Sequence, residues 1–316
     1  MALIFFKAIL FIHVKNKIME KLTSLVSQIY CSGDLYSGGD AVIENLKSSG
    51  FTSVVAWAMH VTKEGNLVFN DTAIVTDGRY VGNPVWPNQL MGLKTGATSV
   101  NRLIFSIGGW GVGDFPNIKA LIDKFGIGEK NPLFQNLKVL FQLIPEIDAI
   151  DLDDESLYDQ NTIVKFSLMV KSLGKKITFC PFTNMGFWND CLYTLYQDSP
   201  RLVEAYNLQC YAGGSGNNPG TWIDSIKAKM GPNFDAKGFV YPGLWCRHGT
   251  NCSEGECPST ISARLKNWNS TINGLQGGFI WMYDDIQTCK NSNVCETDMN
   301  TRAYALSILD GLKPTS

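Results

Sequence analysis

The sequence has little histidine, almost no net charge and no phosphate-binding loop, and each shortage excludes a class of function. Only 3 of its 316 residues are histidines, and none lies near the acidic stretch described below, which disfavours a histidine-based triad. The 27 basic and 29 acidic side chains leave a formal net charge of -2, so nothing indicates a nucleic acid or an anionic membrane as partner. No nucleophile elbow occurs either, and we expect neither a cofactor nor a metal.

An apolar stretch lies at the amino terminus, from Ala2 to Val14, and is too short to span a bilayer. It is untypical of a secretory signal, because no basic residues precede it and no small-residue cleavage site is evident. We therefore treat residues 1–20 as an extension or an atypical leader, with both Met1 and Met19 open as the natural start. The rest of the chain is long enough for one large domain.

Eight of the nine cysteines indicate two environments. Three lie in apolar strand-like runs, where a free buried thiol is the usual state: Cys31, Cys180 and Cys210. Five lie in two polar loops: Cys246, Cys252 and Cys257, then Cys289 and Cys295. Close pairs in such loops predict local disulfides, an oxidising compartment and hence a secreted or extracytoplasmic protein, with a metal site near His248 as the alternative. Sequons at Asn70, Asn251 and Asn269 are compatible with secretion.

The most informative stretch is acidic and extends from Ile147 to Ser156. It begins as an apolar strand, and because side chains alternate between the two faces of a strand, Asp151, Asp153 and Glu155 share one face. Like charges raise one another's pKa, and burial raises it further. A fold does not require such a row, whereas a site that transfers protons can use it to keep one carboxyl group protonated beside a charged neighbour. The alternative is a solvated acidic loop.

Eight apolar runs alternate with helical patterns along the chain. Most are apolar on both faces, which is typical of strands in a parallel sheet. We predict strands at Val26–Cys31, Ser53–Met59, Arg102–Ile107, Ile147–Asp153, Lys176–Phe182, Ala205–Tyr211, Gly238–Trp245 and Gly277–Tyr283. This alternation indicates an α/β fold, a (β/α)8 TIM barrel spanning residues 21–316, with an open doubly wound sheet as the alternative.

Helix signals lie between these runs. Asn131 and Pro132 are typical of an N-cap followed by a first-turn proline. Apolar stripes at helical spacing end at four glycines: Gly50, Gly174, Gly231 and Gly274. By contrast, Asn70–Pro87 is rich in turn-forming residues, and we predict a long loop there after the second strand.

The acidic stretch lies at the carboxyl end of the fourth predicted strand, where active sites of such barrels are found. Asp148–Glu155 resembles the DxxDxDxE signature of glycoside hydrolase family 18, the chitinase family. Ser106–Gly109, ending the third strand, resembles the family's SxGG motif, and Gln209–Tyr211, ending the sixth, resembles its QxY motif. Trp281 on the eighth strand resembles the tryptophan under the cleavage subsite.

The resemblance implies retaining hydrolysis assisted by the substrate's own acetamido group. Glu155 would protonate the glycosidic oxygen and later activate water. Asp153 would hold the acetamido N–H of N-acetylglucosamine while the acetamido oxygen closes on C1 to form an oxazolinium ion, and Asp151 would share a proton with Asp153. Tyr211 would hold the acetyl group, and Trp281 would form an apolar floor under the sugar.

The resemblance also implies a set of substrate contacts: Trp281, Gln209, Gly108, Gly109, Trp110 and Asp148. Two positions depart from the family pattern. Asp154 replaces a residue that is commonly apolar or aromatic, and we expect a solvated or capping role for it. Ala212 follows the predicted QxY motif where the family often has Asp or Asn, which leaves the exact sugar open.

About thirty residues separate the last two predicted strands, too few for the α+β insertion of many family members. We therefore expect an open groove and endo cleavage of a β-1,4-linked N-acetylglucosamine polymer by a chitinase-like monomer. Two alternatives stay open. An endo-β-N-acetylglucosaminidase would use the same acids on N-glycans. A non-catalytic chitin-binding lectin would share the barrel, although such lectins usually lose one of the acids, and both are present here.

Overall fold

The computed structural model describes residues 25–313. The predicted extension or leader at residues 1–20, and the choice between Met1 and Met19 as the start, lie outside this range. Within it, no helix combines the length and the apolar character needed to cross a membrane.

The strands of residues 25–313 form one sheet, most of which is closed into a barrel. Their bounds are β1 Val26–Cys31, β2 Ser53–Val61, β3 Leu67–Phe69, β4 Thr72–Thr76, β5 Arg79–Tyr80, β6 Arg102–Gly108, β7 Ile147–Asp153, β8 Lys176–Phe179, β9 Val203–Gln209, β10 Val240–Trp245 and β11 Gly277–Trp281. β1, β2 and β6 to β11 are parallel, and the barrel closes because β1 pairs with both β11 and β2. The predicted (β/α)8 TIM barrel is confirmed.

All eight predicted barrel strands are present, with small shifts at their ends. Both faces of most of these strands are apolar because both are covered. A large cluster of side chains packs between the sheet and the helices. A smaller cluster fills the barrel: Tyr30, Val55, Ile104, Ala149, Cys180, Tyr211 and Phe279. The interior is therefore a packed core, and a ligand can enter only at one of its ends.

Helices follow the barrel strands and cover the outer face of the sheet. Their bounds are α1 Gly33–Ser37, α2 Gly39–Ser48, α3 Trp86–Gly92, α4 Asp114–Phe125, α5 Pro132–Leu143, α6 Gln160–Ser172, α7 Met185–Asp198, α8 Pro219–Met230, α9 Ala236–Phe239, α10 Pro258–Ile272, α11 Tyr283–Cys289 and α12 Thr301–Leu312. The predicted N-cap is confirmed, because the Asn131 side chain accepts a hydrogen bond from the backbone N–H of Leu133 at 2.9 Å. This bond satisfies one of the free amides at the start of α5.

The prediction of a long loop over Asn70–Pro87 was wrong. β3, β4 and β5 form an antiparallel meander there, paired to the end of β2, and α3 follows. The turn-forming residues mark tight turns between short strands, as at Asp77, which adopts a left-handed conformation. Ile74 and Val75 are fully buried, so the segment contributes to the core beside the barrel.

The prediction of local disulfides was wrong in its pairing. Cys252 is bonded to Cys289 and Cys257 to Cys295, so that the two bridges join the loop after β10 to the segment after β11. Helix α10 and strand β11 bring these segments side by side, which the spacing of the cysteines does not reveal. Cys246 stays a buried thiol, and within residues 25–313 no group of three or more ligating side chains could hold a metal.

The three sequons differ in accessibility. Asn269 is buried, and its side chain bonds the backbone of Leu312, Gly274 and Leu275. The Asn70 side-chain oxygen accepts a hydrogen bond from the hydroxyl of Ser32. Asn251, in the disulfide-linked loop, is exposed.

Candidate active site

Asp151 is the deepest of the three acids on the inner face of β7 and is fully buried. The hydroxyls of Tyr30 and Ser106 donate to one of its oxygens at 2.9 and 2.8 Å. The Thr178 hydroxyl and the Asn207 amide donate to the other at 2.6 and 2.9 Å. Burial raises the pKa of Asp151, while these four donors act in the opposite direction. The donors belong to four different strands, β1, β6, β8 and β9, so the Asp151 carboxylate links these strands to β7 inside the barrel.

Asp153 and Glu155 lie above Asp151 and share one hydrogen-bond donor. The Gln209 amide nitrogen is 3.0 Å from Asp153 Oδ1 and 3.2 Å from Glu155 Oε1, and it also donates to the Cys180 carbonyl. Asp153 is buried, whereas Glu155 is half-buried. The hydrogen bonds of Asp151 within the described range come from neutral groups and none from Asp153. Of the two neighbouring acids, Glu155 has the larger effect on the pKa of Asp153.

The pKa values of both upper acids are raised. Burial is the main cause for Asp153, and the charges of Glu155 and Asp151 raise its pKa further, against an opposing effect of the Trp57 indole N–H. Burial also raises the pKa of the Glu155 carboxyl, against the opposing hydrogen bond from Gln209. The two acids act as a coupled pair, because the charge of one disfavours ionisation of the other. The raised pKa values favour retention of a proton by this pair.

The Gly108-Gly109 pair allows β6 to approach the acids closely. The backbone N–H of Gly109 donates to the Asp153 carbonyl at 2.8 Å, and both glycines have positive φ angles. A Cβ atom on Gly108 would lie 2.2 Å from that carbonyl oxygen, which no side chain tolerates. The next residue, Trp110, is 86% exposed at the rim of the site. The predicted motif therefore joins the end of β6 to the acidic strand and presents an indole at the rim.

A pocket of about 550 Å³ opens above the acids at the carboxyl ends of the strands. Most of the side chains that line it are aromatic. The lining residues are Trp57, Trp110, Asp153, Glu155, Phe182, Gln209, Tyr211, Ala212, Gly213, Trp245 and Trp281. A concave, mainly apolar site with a few convergent polar groups is the usual form of a small-molecule site.

Trp281 lies at the centre of the aromatic wall. Its ring is stacked near that of Tyr211, with centroids 5.9 Å apart, and it contacts Trp57 edge-on at 4.6 Å and Tyr30 at 5.3 Å. These contacts fix its position beside Asp153 and Glu155, which line the same pocket. The structure thus brings the predicted tyrosine and tryptophan to the acids.

Sequence reasoning missed three pocket aromatics and one buried partner of the acids: Trp57, Phe182, Trp245 and Tyr30. In sequence, each belongs to an apolar run and cannot be distinguished from a core residue. The position of two of them in the chain was the signal that could have identified them as site residues. Phe182 and Trp245 each end a predicted strand, and the carboxyl ends of barrel strands surround the site.

The prediction that Asp148 contacts the substrate was wrong. It lies near the amino end of β7, where its oxygens accept from the Lys94 ammonium at 3.0 Å and from the Leu103 N–H at 2.8 Å. Asp148 and Asp153 are five residues apart on one strand, so their side chains lie at opposite ends of the barrel and on opposite faces. The Asp148 carboxylate thus fastens the strand at the end away from the pocket.

Asp154 is buried, so the solvated role that we considered was wrong, while the capping role is confirmed. Its carboxylate accepts from the backbone N–H groups of Ser156 at 3.0 Å, Leu157 at 2.8 Å and Tyr158 at 2.8 Å. These bonds shape the turn that immediately follows Glu155. Asp154 therefore fixes the backbone on which Glu155 is carried.

Comparison with known proteins adds information on the fold. No protein-family model and no curated protein sequence matches the chain. Among solved structures, it is similar to a glycoside hydrolase family 18 chitinase from Pseudoalteromonas aurantia, with a TM-score of 0.62, 15% sequence identity, and coverage of 89% of this chain and 99% of that one. The chain has a family 18-like barrel fold.

Two further structures share this family 18-like barrel. One is the spore cortex-lytic enzyme SleL from Bacillus cereus, with a TM-score of 0.52, 9% identity, and coverage of 90% of this chain and 74% of that one. The other is a chitinase-like lectin from tamarind, with a TM-score of 0.50, 10% identity, and coverage of 90% and 99%. Because an enzyme and a lectin both have this barrel, function has to be argued from the site.

Proposed function

We propose that the protein is a glycosidase that hydrolyses β-1,4-linked N-acetylglucosamine polymers, and that the substrate's acetamido group acts as nucleophile. The observation that carries this proposal is the Asp153–Gln209–Glu155 arrangement at the base of an aromatic pocket. A sugar-binding protein needs the aromatic wall but not two coupled, partly desolvated acids. The pair favours hydrolysis over binding alone.

Glu155 is the general acid of the proposed reaction. It lies at the pocket and is only half-buried, and burial raises its pKa, which favours the protonated carboxyl group that can deliver a proton to a bound glycosidic oxygen. After the leaving sugar departs, the Glu155 carboxylate takes a proton from the incoming water. The same side chain thus acts as acid and then as base.

Asp153 and Tyr211 position the acetamido group. Asp153 accepts the acetamido N–H, which directs the acetamido oxygen towards C1 for ring closure to an oxazolinium ion. Asp153 is buried beside Glu155, and in its ionised form it stabilises the positive ring. Tyr211 lines the same pocket and holds the acetyl group, while Trp281 packs under the sugar. Asp151 accepts four hydrogen bonds deeper in the barrel, and its charge contributes to the raised pKa of Asp153.

The mode of cleavage follows from the open end of the barrel. The connection from β10 to β11 consists of residues 246–276 and contains α10 and a short helical turn, with no inserted sheet. The exposed Trp110 extends the aromatic surface to the rim. An open groove of this kind accepts an internal segment of a polymer, which supports endo cleavage.

The two disulfides support a secreted or extracytoplasmic location, because such bridges persist in oxidising compartments.

Product analysis on N-acetylglucosamine oligomers tests the proposal. We expect the β-anomer to be released first, and no hydrolysis of the fully deacetylated oligomer, because that substrate has no acetamido oxygen to attack C1. A high-mannose glycoprotein assayed in parallel separates the N-glycan alternative. Equal activity on acetylated and deacetylated oligomers would contradict substrate assistance.

The variant Glu155→Gln tests the acid. It keeps the size and the hydrogen-bonding shape of the side chain but cannot donate a carboxylic proton. We expect loss of hydrolysis with sugar binding retained, measured by calorimetry. Near-normal turnover would refute the role of Glu155, and sugar binding without hydrolysis by the unmodified protein would indicate the lectin alternative.

A further inference from the structure

Trp245 ends β10 and forms part of the pocket wall next to Trp281, its register partner on β11. The centroid of its ring lies 5.7 Å from that of Tyr211. Trp245 is half-buried, whereas Trp86 and Trp188 are completely buried in the core. Trp245 therefore presents part of its ring to the pocket, which a core tryptophan does not.

The ring of Trp245 is held on two sides. Its indole N–H donates to Asp285 Oδ2 at 2.8 Å. The imidazole of His248 stacks on one face, with centroids 3.8 Å apart and an angle of 7° between the ring planes. One face and the polar edge are thus occupied, and His248 is not part of the pocket lining. Trp245 itself lines the pocket, so part of its ring stays available to a ligand.

His248 is in turn fixed by its own loop. Its Nδ1 lies 3.0 Å from the Cys246 carbonyl oxygen, and its Nε2 lies 3.5 Å from the Glu254 carboxylate. The loop backbone packs so closely that a Cβ atom on Gly255 would lie 2.7 Å from His248 Nδ1. The disulfides at Cys252 and Cys257 then attach this loop to the segment that follows β11.

We propose that Trp245 is a stacking platform for the N-acetylglucosamine unit next to the one on Trp281, and that Asp285 and His248 position it before the substrate arrives. The inference rests on the proposed function and adds a specificity-determining residue to it. The barrel order places Trp110 and Trp245 on opposite sides of Trp281, because they follow β6 and end β10. The platform therefore extends the site away from Trp110.

Pre-positioning matters because a pyranose ring presents a flat array of C–H groups that packs on an indole face. An indole that is free to change rotamer would lose this freedom on binding, and the affinity would be lower. Here the N–H bond and the imidazole stack restrict the ring in the unbound protein. Asp285 and His248 are thus positioning residues, and Trp245 is the group that touches the sugar.

Binding of the chitin hexasaccharide is measured by calorimetry in the Glu155→Gln protein, the parent for the binding variants, because it should not hydrolyse the ligand. KM and kcat are measured separately in the protein that keeps Glu155. Trp245→Ala should raise the Kd and the KM about tenfold, the effect of truncating a binding tryptophan, while kcat changes less. Tyr193→Ala removes an exposed aromatic side chain on α7, outside the pocket, and should leave binding unchanged.

The positioning residues are tested by a matched pair. Asp285→Ala removes the acceptor of the indole N–H and should raise the Kd about threefold, whereas Asp285→Asn keeps an acceptor oxygen and should recover most of the affinity. If Trp245→Ala does not fold, the two Asp285 variants still test whether the position of the Trp245 ring affects sugar binding. Equal Kd values for the two Asp285 variants and the parent would overturn the positioning role.

Two failures are distinguishable. If the Glu155→Gln parent does not bind the hexasaccharide and the protein with Glu155 does not hydrolyse it, the proposed function is refuted and this inference with it. If the parent binds and a folded Trp245→Ala variant binds equally well, only the platform is refuted.

Discussion

Gln209 offers a sensitive test of the acid pair, because one amide donates to both carboxylates. Replacement by methionine keeps the length of the side chain and removes the donor. The hydrogen bond from Gln209 opposes the effect of burial on the pKa of Glu155, so its removal should raise that pKa further. Because Glu155 has to be protonated to act as acid, the alkaline limb of the activity profile should move to higher pH.

The size of the shift follows from the geometry. A hydrogen bond to a charged acceptor contributes about 1.5–3 kcal/mol, and about 1.4 kcal/mol corresponds to one pKa unit. The Gln209–Glu155 distance of 3.2 Å is long for such a bond, and solvent screens the half-buried carboxylate. The lower end of the range therefore applies, and we expect a shift of about one pH unit.

The assay is kcat/KM against pH on a chitin oligomer for the parent and the Gln209→Met variant. Gln160→Met, the same exchange on the exposed surface of α6, is the matched control and should leave the profile unchanged. Loss of the second bond, to Asp153, should also lower the maximal rate. An alkaline limb that stays in place or moves to lower pH in the variant would refute the reasoning.

Two further predictions concern the frame of the site. Replacing Cys257 and Cys295 together by serine opens one of two neighbouring bridges, and because Cys252–Cys289 still joins the same segments, the loop that is released has only about a dozen residues. The chain-entropy model then predicts a loss of about 3 kcal/mol in the free energy of unfolding, measurable by denaturant titration; an unchanged midpoint would contradict it. Asp148→Asn weakens the partly exposed ion pair with Lys94 and should cost about 1 kcal/mol of stability while kcat/KM stays unchanged. Loss of activity without loss of stability would restore Asp148 to the site.

The barrel could be predicted because its strands are covered on both faces. A strand buried on both sides is largely apolar, and such runs stand out in the sequence, as at Ser53–Val61 and Arg102–Gly108. The segment from Leu67 to Tyr80 could not be predicted in this way. Its strands are short and lie outside the barrel, and the turns between them dominate the composition.

The acids could be predicted because they interrupt an apolar strand. Burying a charge costs free energy, so buried acids in a strand indicate a functional role. Asp148 shows the limit of this argument. It belongs to the same motif, yet its position near the start of β7 places it beside Lys94, at the other end of the barrel. The spacing of a motif fixes which face a side chain occupies, whereas its distance along the strand determines whether it reaches the pocket.

The aromatic wall was the least predictable part, and the reason is physical. Tryptophan and tyrosine contribute apolar area to a core and to a sugar site alike, so composition and periodicity do not separate the two uses. Trp188 and Trp245 differ only in what surrounds them: the first is buried under helices, and the second has an imidazole on one face and the pocket beside it. That difference arises from loops joined by disulfides across distant segments, and it becomes visible only once those segments are placed together.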